Sequence, residues 1–500
     1  MNVSMQHLEY LRSHSGSPAT VGLPDHVITR FTEEDPLLCQ AIAEARDARD
    51  QVNDAWADAL MGTESEFICH LQSGYLNFYP PETVNPYLPL AARGPWVITA
   101  YGAVLHDSGG YGMLGFGHAP QALLDAMNKP HVMANIMTPS LSQHELMKRL
   151  HAEVGHARAD GCPFHQFLCL NSGSESVTLA LRIADINARH LTAEGTPRAG
   201  QHVKLLALRG AFHGRTDRPA QASHSTMPKY KGHLASFQNR DNLVVIEAND
   251  VSALEQAFAD AEANGDFLEA VLLEPVMGEG NPGVPVTREF YDAARRLTKA
   301  HGSMMIIDSV QAGLRAQGTV SVVDYPGFED AEAPDMETYS KALNGGQYPL
   351  SVLALNERAA GRYVKGLYGN TMTTNPRALD VACAALDELT PAVRQNIRDR
   401  GAELVRKLTA LQDEFPGVVL GVTGTGLLCA AELDPERYPV VGFDGVEVWC
   451  RRNGLGIIHG GANAIRLTPH FRMTSSEVDL IIERIQASLR AMHARHKASA

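Results

Sequence analysis

The chain has 500 residues and a formal net charge of −14, and charged residues make up 20% of its length. This length predicts at least two compact substructures rather than a single hydrophobic core. Because acidic and basic residues are interspersed, the composition argues against a nucleic-acid surface and against an anionic membrane as partner.

The cysteines and the N-terminus indicate where the protein works. Seven cysteines, from Cys39 to Cys450, include no C-x-x-C pair, which is typical of free thiols in a reducing compartment rather than of a disulfide framework. The first residues lack the apolar core of a signal peptide, and no apolar run reaches the length of a membrane helix. We therefore expect a cytoplasmic protein with no membrane partner.

The sequence predicts four consecutive regions. Residues 1–80 form a largely helical N-terminal extension, in which apolar residues recur at helical spacing from Asp35 to Gly62. Residues 81–125, with short β-type runs between glycines and prolines, form the N-terminal part of a small domain. Residues 126–375 form a large domain, and residues 376–500 return to the small domain.

Short and nearly continuous apolar runs begin near Phe164, and helix-patterned stretches separate several of them. Such runs are typical of parallel strands that are covered on both faces. The fold class is therefore α/β, with a mostly parallel central sheet between helices and a smaller α+β domain. The predicted strands are Phe167 to Leu170, Val203 to Leu208, Leu243 to Ile246, Ala270 to Leu273 and Met304 to Ile307. Two helices between them, Ser252 to Asn264 and Thr287 to His301, each end at a glycine, as left-handed helix caps do.

Polar and aromatic residues follow four of these strands, where an open parallel sheet gathers its ligands. The first strand leads into Asn171-Ser172-Gly173-Ser174-Glu175 at the start of a helix, and small residues there form a seat for a phosphate. The other segments are Gly210 to Thr216, Glu274 to Gly280 and Asp308. We expect these four segments to face one crevice.

Lys341 and Asp308 are the candidate catalytic pair. A lysine can hold the aldehyde of pyridoxal phosphate (PLP) as a Schiff base, and a carboxylate at the ring nitrogen keeps that nitrogen protonated. Lys341 lies in Tyr339-Ser340-Lys341-Ala342-Leu343-Asn344-Gly345-Gly346, and Asp308 directly follows the strand Met304 to Ile307. This pattern predicts a PLP enzyme.

From about Pro81 to the C-terminus, these motifs in this order resemble the class III aminotransferases (ornithine, acetylornithine and GABA type) of the fold-type I PLP family. The resemblance implies a PLP internal aldimine on Lys341 and a pyridoxamine phosphate intermediate. It also implies transfer of an amino group from an amine or amino acid, an ω-amine by expectation, to an oxo acid such as 2-oxoglutarate.

The resemblance also implies roles for the residues around the cofactor. Asp308 would pair with the pyridinium nitrogen, Val310 and Phe212 would cover the two ring faces, and Gln311 would hydrogen-bond the ring hydroxyl. Gly173 and Ser174 would hold the phosphate. Thr371, in Asn370-Thr371-Met372, would reach the phosphate of the neighbouring subunit, which implies a homodimer with active sites at the subunit interface.

Four further positions bear on the substrate. Arg466 is similar to the family arginine that binds the substrate α-carboxylate in a bidentate fork. Glu279 resembles the glutamate that pairs with this arginine while an ω-amine reacts, and Arg215 would bind the distal carboxylate of glutamate or 2-oxoglutarate. Tyr111 would lie near the substrate entrance. A purely structural role remains the alternative for Tyr111, for Arg215 as a turn residue and for Glu279 as a capping residue.

After Arg466, Ser476 and Asp479 predict the capping box of a C-terminal helix.

The chain departs from the common family pattern at Met277, Ser309, Asp217 and Arg218, which leaves the amino donor open. The same family includes racemases, aminomutases and decarboxylases, so one of these activities is the alternative. A PLP-fold scaffold without catalysis is the less favoured reading, because both Lys341 and Asp308 are present.

Two other patterns are rejected. Gly110 to Gly115 fits G-x-G-x-x-G, but no acidic residue stands about twenty positions further on, as a dinucleotide-binding site needs. The 21 histidines show no H-E-x-x-H or other local ligand spacing, so no metal is predicted.

Overall fold

The computed structural model describes residues 2–52, 54–110, 112–133 and 136–499. The α-helices of these residues are α1 (Val3–Ser13), α2 (Asp25–Glu34), α3 (Pro36–Asp50), α4 (Asp54–Leu60), α5 (Glu64–Gln72), α6 (Gln121–Met127), α7 (Leu141–Glu153), α8 (Gly173–Thr192), α9 (Asp217–Ala222), α10 (Met227–His233), α11 (Val251–Asn264), α12 (Arg288–His301), α13 (Glu357–Ala360), α14 (Pro376–Asp387), α15 (Pro391–Glu414), α16 (Val446–Arg452) and α17 (Ser475–Ser499). The strands are β1 (Pro89–Arg93), β2 (Trp96–Thr99), β3 (Val104–Asp107), β4 (Gln166–Leu170), β5 (His202–Leu208), β6 (Leu243–Ile246), β7 (Asp266–Leu273), β8 (Met304–Asp308), β9 (Met336–Tyr339), β10 (Ser351–Leu355), β11 (Val419–Thr425), β12 (Leu428–Leu433), β13 (Leu455–Gly456), β14 (Ile458–Gly460) and β15 (Ala464–Leu467).

The chain divides into two compact units. The larger unit contains Gln121–Arg398 and Gly424–Leu428, and the smaller unit contains Met1–Pro120, Asp399–Thr423 and Cys429–Ala500. Helix α14, which the sequence analysis assigned to the C-terminal small domain, is part of the larger unit.

A seven-stranded sheet in the order β4-β10-β9-β8-β7-β5-β6 forms the centre of the larger unit. Strands β9, β8, β7, β5 and β6 pair in parallel, whereas β10 is antiparallel to both of its neighbours. Strand β10 is thus the only one of the seven that runs in the opposite direction. This mostly parallel sheet confirms the predicted fold class.

The five strands predicted from apolar runs all form, with ends that differ from the predicted ones by at most four residues. Helices α11 and α12 also form as predicted, and each ends at a glycine in the left-handed region, Gly265 at φ 73° and Gly302 at φ 86°. Strands β9 and β10 were not predicted, although β9 leads directly to Lys341.

The core of the larger unit lies between helix α8 and the sheet. Four apolar residues of α8, Val177, Ala180, Leu181 and Ala184, are fully buried and pack with side chains of β5, β7, β8 and β10. Because this face of α8 is fixed by packing, the N-terminus of the helix is held at the carboxyl end of β4.

The N-terminal extension belongs to the core of the smaller unit. Side chains of α1, α2 and α3 are buried together with Trp96, Ile98, Val104 and Leu480. The helical pattern from Asp35 to Gly62 contains two helices, α3 and α4, rather than one. The smaller unit also holds two four-stranded sheets, in the orders β1-β2-β3-β13 and β11-β12-β15-β14.

The capping box predicted for the C-terminal helix was placed wrongly. Thr474, not Ser476, is the N-cap residue, since the backbone N–H of Glu477 donates to Thr474 Oγ1 at 3.2 Å. The Thr474 N–H in turn donates to Glu477 Oε2 at 2.6 Å. Asp479 is instead paired with Lys407. The prediction failed because Thr474 and Glu477 fit the same S/T-x-x-D/E pattern two residues earlier.

Within the described ranges, no helix is both long enough and apolar enough to cross a bilayer. All seven cysteines are free, and Cys69 is exposed.

Candidate active site

The N-terminus of α8 forms a cradle at the end of β4. Ser172 is the N-cap residue, and it shares a capping box with Glu175. A Cβ atom built on Gly173 would lie 2.8 Å from Val310 Cγ1, so only glycine allows the helix start to approach Val310 this closely. The Oγ of Ser174 accepts a hydrogen bond from the Arg215 N–H at 3.3 Å. The predicted phosphate residues therefore contact two other predicted site residues.

Asp308 is buried at the end of β8 and is held by three donors. His213 Nδ1 donates to Oδ2 at 2.9 Å, while Thr338 Oγ1 and the Val310 N–H donate to Oδ1, each at 3.1 Å. The pKa of His213 is raised, because the hydrogen bond and the charge of Asp308 outweigh the effect of burial, which acts in the opposite direction. The carboxylate is thus fixed in orientation and lies beside the imidazole ring of His213.

Lys341 adopts a positive φ of 47°, which is unusual for a residue with a side chain. It opens a short 3₁₀ helix, Lys341–Asn344, directly after β9. The Nζ atom donates to Gln311 Oε1 at 3.3 Å. Residues with such strained backbone angles cluster at functional sites.

Gln311 joins Lys341 to the loop that follows β7. A Cβ atom on Gly278 would collide with Oε1 of Gln311, so the glycine allows this side chain to lie against the loop. The Nε2 atom of Gln311 is buried and has no hydrogen-bond partner among the described residues. This orphaned donor is available to an acceptor of a bound molecule.

Phe212 and Glu274 connect the loops after β5 and β7. The Phe212 N–H donates to Glu274 Oε1 at 2.9 Å, and the Gly278 N–H donates to Oε2 at 2.8 Å. Burial raises the pKa of Glu274 to about 7. The guanidinium of Arg215, which is exposed, lies 5.0 Å from the centre of the Phe212 ring.

These residues fit a PLP molecule by the chemistry of their donors. A helix N-terminus with small residues suits the phosphate, a buried carboxylate suits a protonated ring nitrogen, and the orphaned amide of Gln311 suits a ring oxygen. The lysine amine beside Gln311 completes the set. The structure therefore brings together Lys341, Asp308, Val310, Gln311, Gly173, Ser174, Phe212 and Arg215.

The remaining predicted residues lie on other segments of the chain. Arg466 is 3% exposed and lies on β15 of the smaller unit, paired in register with Ala430 and Ile458. Glu279 is half-buried in the turn after β7, and Thr371 is exposed in the loop before α14. Tyr111 lies outside the described residues.

Three of the departures from the family pattern, Ser309, Arg218 and Asp217, have side-chain partners. Ser309 Oγ donates to Glu337 on β9, and Arg218 forms an ion pair with Glu269 on β7 at 2.5 Å. Met277 is buried, and its backbone N–H donates to Val284. Asp217 lies 3.5 Å from Arg240 on the surface. The side chains of Ser309 and Arg218 are thus held by residues of the larger unit.

Two residues of the site were not predicted, His213 and Glu274. Both stand in the segments that follow β5 and β7, so their position gave a signal. That signal was not specific, because the hydrogen bond between His213 and Asp308 joins residues 95 positions apart.

Comparisons with known proteins show which proteins this chain resembles. The family model "Aminotransferase class-III" matches residues 79–489. An acetylornithine aminotransferase of Neisseria meningitidis serogroup B is 30% identical over 412 residues, which are 81% of this chain and 94% of that protein. An ornithine aminotransferase of Bordetella pertussis is 29% identical over 391 residues, which are 77% of this chain and 87% of that protein.

Solved structures show the same fold at lower identity. The ornithine aminotransferase of Toxoplasma gondii superposes with a TM-score of 0.73 at 22% identity, covering 89% of this chain and 98% of its own. The N-acetylornithine aminotransferase of Stenotrophomonas maltophilia gives a TM-score of 0.66 at 23% identity, covering 85% and 100%.

Proposed function

This chain belongs to the class III aminotransferases, which are PLP-dependent, and we propose that it moves the terminal amino group of a diamino acid to 2-oxoglutarate. The relatives named above act, by their names, on ornithine and on its acetylated form. The observation that carries the proposal is the contact of Lys341 Nζ with Gln311, beside a carboxylate, Asp308, that is held by three donors.

Six residues of the larger unit would hold the cofactor. Gly173 and Ser174 would bind the phosphate at the N-terminus of α8, Asp308 would face the ring nitrogen, and Gln311 would donate Nε2 to a ring oxygen. Val310 and Phe212 would cover the ring. When it is bound, PLP supplies an aldehyde that captures amines and a ring that accepts electrons.

Lys341 and Asp308 would divide the chemical work. The Nζ of Lys341 takes up the proton that leaves the amine-bearing carbon of the donor, which requires a neutral amine. Asp308 is held in a fixed orientation because His213, Thr338 and a backbone N–H all donate to it. Asp308 ends β8, and Lys341 follows the neighbouring strand β9.

Arginines would select the carboxylates of both substrates. A buried arginine such as Arg466 binds a carboxylate through two parallel hydrogen bonds, which suits an α-carboxylate. Arg215 would bind the distal carboxylate of the oxo acid, and Glu279 would pair with Arg466 while the ω-amine reacts. Tyr111 would line the entrance.

A homodimer would complete the site through Thr371. The loop around Thr371 is joined to the loop before α7, because the Ile136 N–H donates to the Thr371 carbonyl at 3.2 Å. Three apolar side chains of this second loop region are largely exposed: Val132 by 84%, Met137 by 81% and Leu141 by 86%. Adjacent exposed apolar residues are typical of a protein interface.

The dimer can be tested by a charge in this region. The variant Val132→Asp is expected to shift the sedimentation coefficient to that of a monomer and to weaken cofactor retention. The matched control is Val21→Asp, since Val21 is 73% exposed and lies in the other unit. A dimeric Val132→Asp protein with normal cofactor content would argue against this interface.

The proposal also includes a cytoplasmic location, which the absence of disulfide bonds among the seven cysteines supports.

The function is tested by the visible absorption of the purified protein. Ornithine and glutamate are each expected to bleach the yellow band, and 2-oxoglutarate is expected to restore it. A yellow protein that neither amine bleaches would contradict the proposed substrates. The variant Lys341→Ala should lose turnover and keep its fold, whereas Lys299→Ala, which changes an exposed lysine paired with Glu332, should keep both.

A further inference from the structure

The smaller unit contains a second cluster of titratable side chains, formed by His106, His470 and Glu477. They come from three segments: His106 from β3, His470 from the loop after β15, and Glu477 from the first turn of α17. His106 is fully buried, and Glu477 is 4% exposed. One ligand atom from each residue lies within 4.8 Å of the other two. All three residues belong to the smaller unit, whereas Lys341 and Asp308 belong to the larger one.

The three side chains converge on one carboxylate oxygen. His106 Nε2 lies 3.1 Å from Glu477 Oε1, and His470 Nε2 lies 2.8 Å from the same atom. In a tetrahedral zinc site with bonds of about 2.0–2.1 Å, neighbouring ligand atoms are roughly 3.3 Å apart. The two distances to Glu477 differ from this value by about half an ångström or less, and the two histidine nitrogens lie within 4.8 Å of each other. Binding an ion would therefore require movements of the rings.

The surroundings orient two of the three ligands. His106 Nδ1 lies 3.0 Å from Ser108 Oγ, and metal-binding histidines commonly donate their second ring N–H to such a partner. Glu477 Oε2 accepts the Thr474 N–H, which leaves Oε1 for the histidines.

We propose that His106, His470 and Glu477 bind one divalent transition-metal ion of the zinc class. Two imidazoles and a carboxylate are a ligand set that zinc uses, and a water molecule would take the fourth position. Each neutral histidine would carry its proton on Nδ1, where the Oγ of Ser108 accepts it for His106. The ion would replace the two N–H donors at Oε1 and join β3 to the start of α17.

Sequence spacing did not reveal this site, because His106 and His470 are 364 residues apart in the sequence. Only His470 and Glu477 are close in sequence, and a single histidine with a glutamate seven residues later is not a known ligand pattern. The fold of the smaller unit brings the third ligand to them.

The test measures metal in the purified holoenzyme after exposure to zinc and dialysis. Mass spectrometry of the metal content should give about one zinc per chain, and the midpoint of thermal unfolding should rise with zinc. The variants His470→Gln and Glu477→Gln should lose both effects. In Glu477→Gln the amide oxygen can still accept the Thr474 N–H, so the helix cap is retained.

Cobalt provides a second measurement. Cobalt in the same site should show absorption bands of a four-coordinate ion and should quench the emission of Trp96, whose ring centre lies 5.1 Å from that of His106. The control is His459→Gln, since His459 is paired with Glu447 at 3.0 Å outside the cluster. Zinc or cobalt binding that survives His470→Gln, or no binding by the unmodified protein, would overturn the proposal.

Discussion

His213 donates a hydrogen bond of 2.9 Å to Asp308, and both side chains are buried. The second ring nitrogen of His213, Nε2, is buried without a partner among the described residues. A buried polar atom without a partner lowers the free energy of unfolding by about 1–3 kcal/mol. The imidazole of His213 occupies this position despite that loss. The relationship indicates that His213 positions the carboxylate that would face the cofactor.

We therefore expect that replacing His213 lowers the activity by more than the accompanying loss of folded protein explains. The variant His213→Phe removes a hydrogen bond to a charged group, which is worth roughly 1.5–3 kcal/mol and corresponds to about a ten- to hundredfold loss of kcat. The variant His213→Gln, which keeps an N–H donor, should recover part of it.

The pH dependence of the cofactor absorption separates positioning from a structural effect. It should shift in His213→Phe and return toward the original in His213→Gln. The control is His301→Gln, because His301 is also buried and paired with a glutamate, Glu262, but lies away from the site. Equal changes in both histidine variants would show that His213 acts only through stability.

A methyl group at Gly173 should weaken cofactor binding. The Cβ of Gly173→Ala would lie 2.8 Å from Val310 Cγ1, so either α8 or Val310 must move. Overpacking of this kind costs about 1–3 kcal/mol, which corresponds to roughly a five- to hundredfold increase in the Kd of PLP.

Equilibrium dialysis against PLP measures this change. Gly232→Ala is the matched control, because no atom lies within 4 Å of its added Cβ and its φ is ordinary. An unchanged Kd in Gly173→Ala would mean that the start of α8 does not hold the phosphate.

The sequence predicted the sheet better than the site around it. Parallel strands such as β8 are buried along their whole length, so the apolar run Met304 to Ile307 is continuous and easy to read. Strand β9 was missed because it carries the polar residues Glu337 and Thr338, which interrupt the apolar pattern. Those residues are polar because they hold the loop around Asp308.

The candidate site was predictable where a motif marks it and obscure where a tertiary contact makes it. Lys341, Asp308 and Gly173 follow strands or open a helix, so local sequence identified them. The partners of Ser309 and Arg218 are Glu337 and Glu269, which lie on other strands. No local spacing encodes such pairs, because β-sheet neighbours can be any distance apart in the chain.

Glu337 should make stability depend on pH. It is fully buried on β9 and accepts hydrogen bonds from Ser309, Ser321, Tyr339 and the Val322 N–H, yet burial raises its pKa to about 7. Between the ordinary value of 4.5 and about 7, the folded protein binds a proton that the unfolded chain has released. The free energy of unfolding therefore falls as pH rises through this window.

The variant Glu337→Gln removes this contribution. The difference in the free energy of unfolding between Glu337→Gln and the unmodified protein should rise by roughly 3 kcal/mol from pH 5 to pH 8. Each pKa unit corresponds to about 1.4 kcal/mol. Urea unfolding at both pH values measures the difference. Glu432→Gln, at an exposed position of β12, should change nothing. Part of the slope will remain, since burial also raises the pKa of Glu269 and of Glu274 to about 7.

Removing one partner of the ion pair between Arg218 and Glu269 should destabilise the protein strongly. Replacing both partners by apolar residues should change the free energy of unfolding little. The side chain of Glu269 is 1% exposed and that of Arg218 is 24% exposed, so removing the arginine leaves a buried carboxylate without its partner. Arg218→Met should lower the free energy of unfolding by about 3 kcal/mol, whereas the double variant with Glu269→Met should be nearly neutral.

The cost of Arg218→Met should also grow with pH. Burial raises the pKa of Glu269 to about 7 even with the arginine in place, so at lower pH the carboxyl becomes neutral and needs no partner. Unfolding measured at pH 6 and pH 8 should show the smaller loss at pH 6. The control is Arg296→Met, since the exposed pair of Arg296 with Glu255 is expected to contribute less than about 1 kcal/mol. A loss that does not change with pH would mean that Arg218 stabilises the fold by packing rather than by its charge.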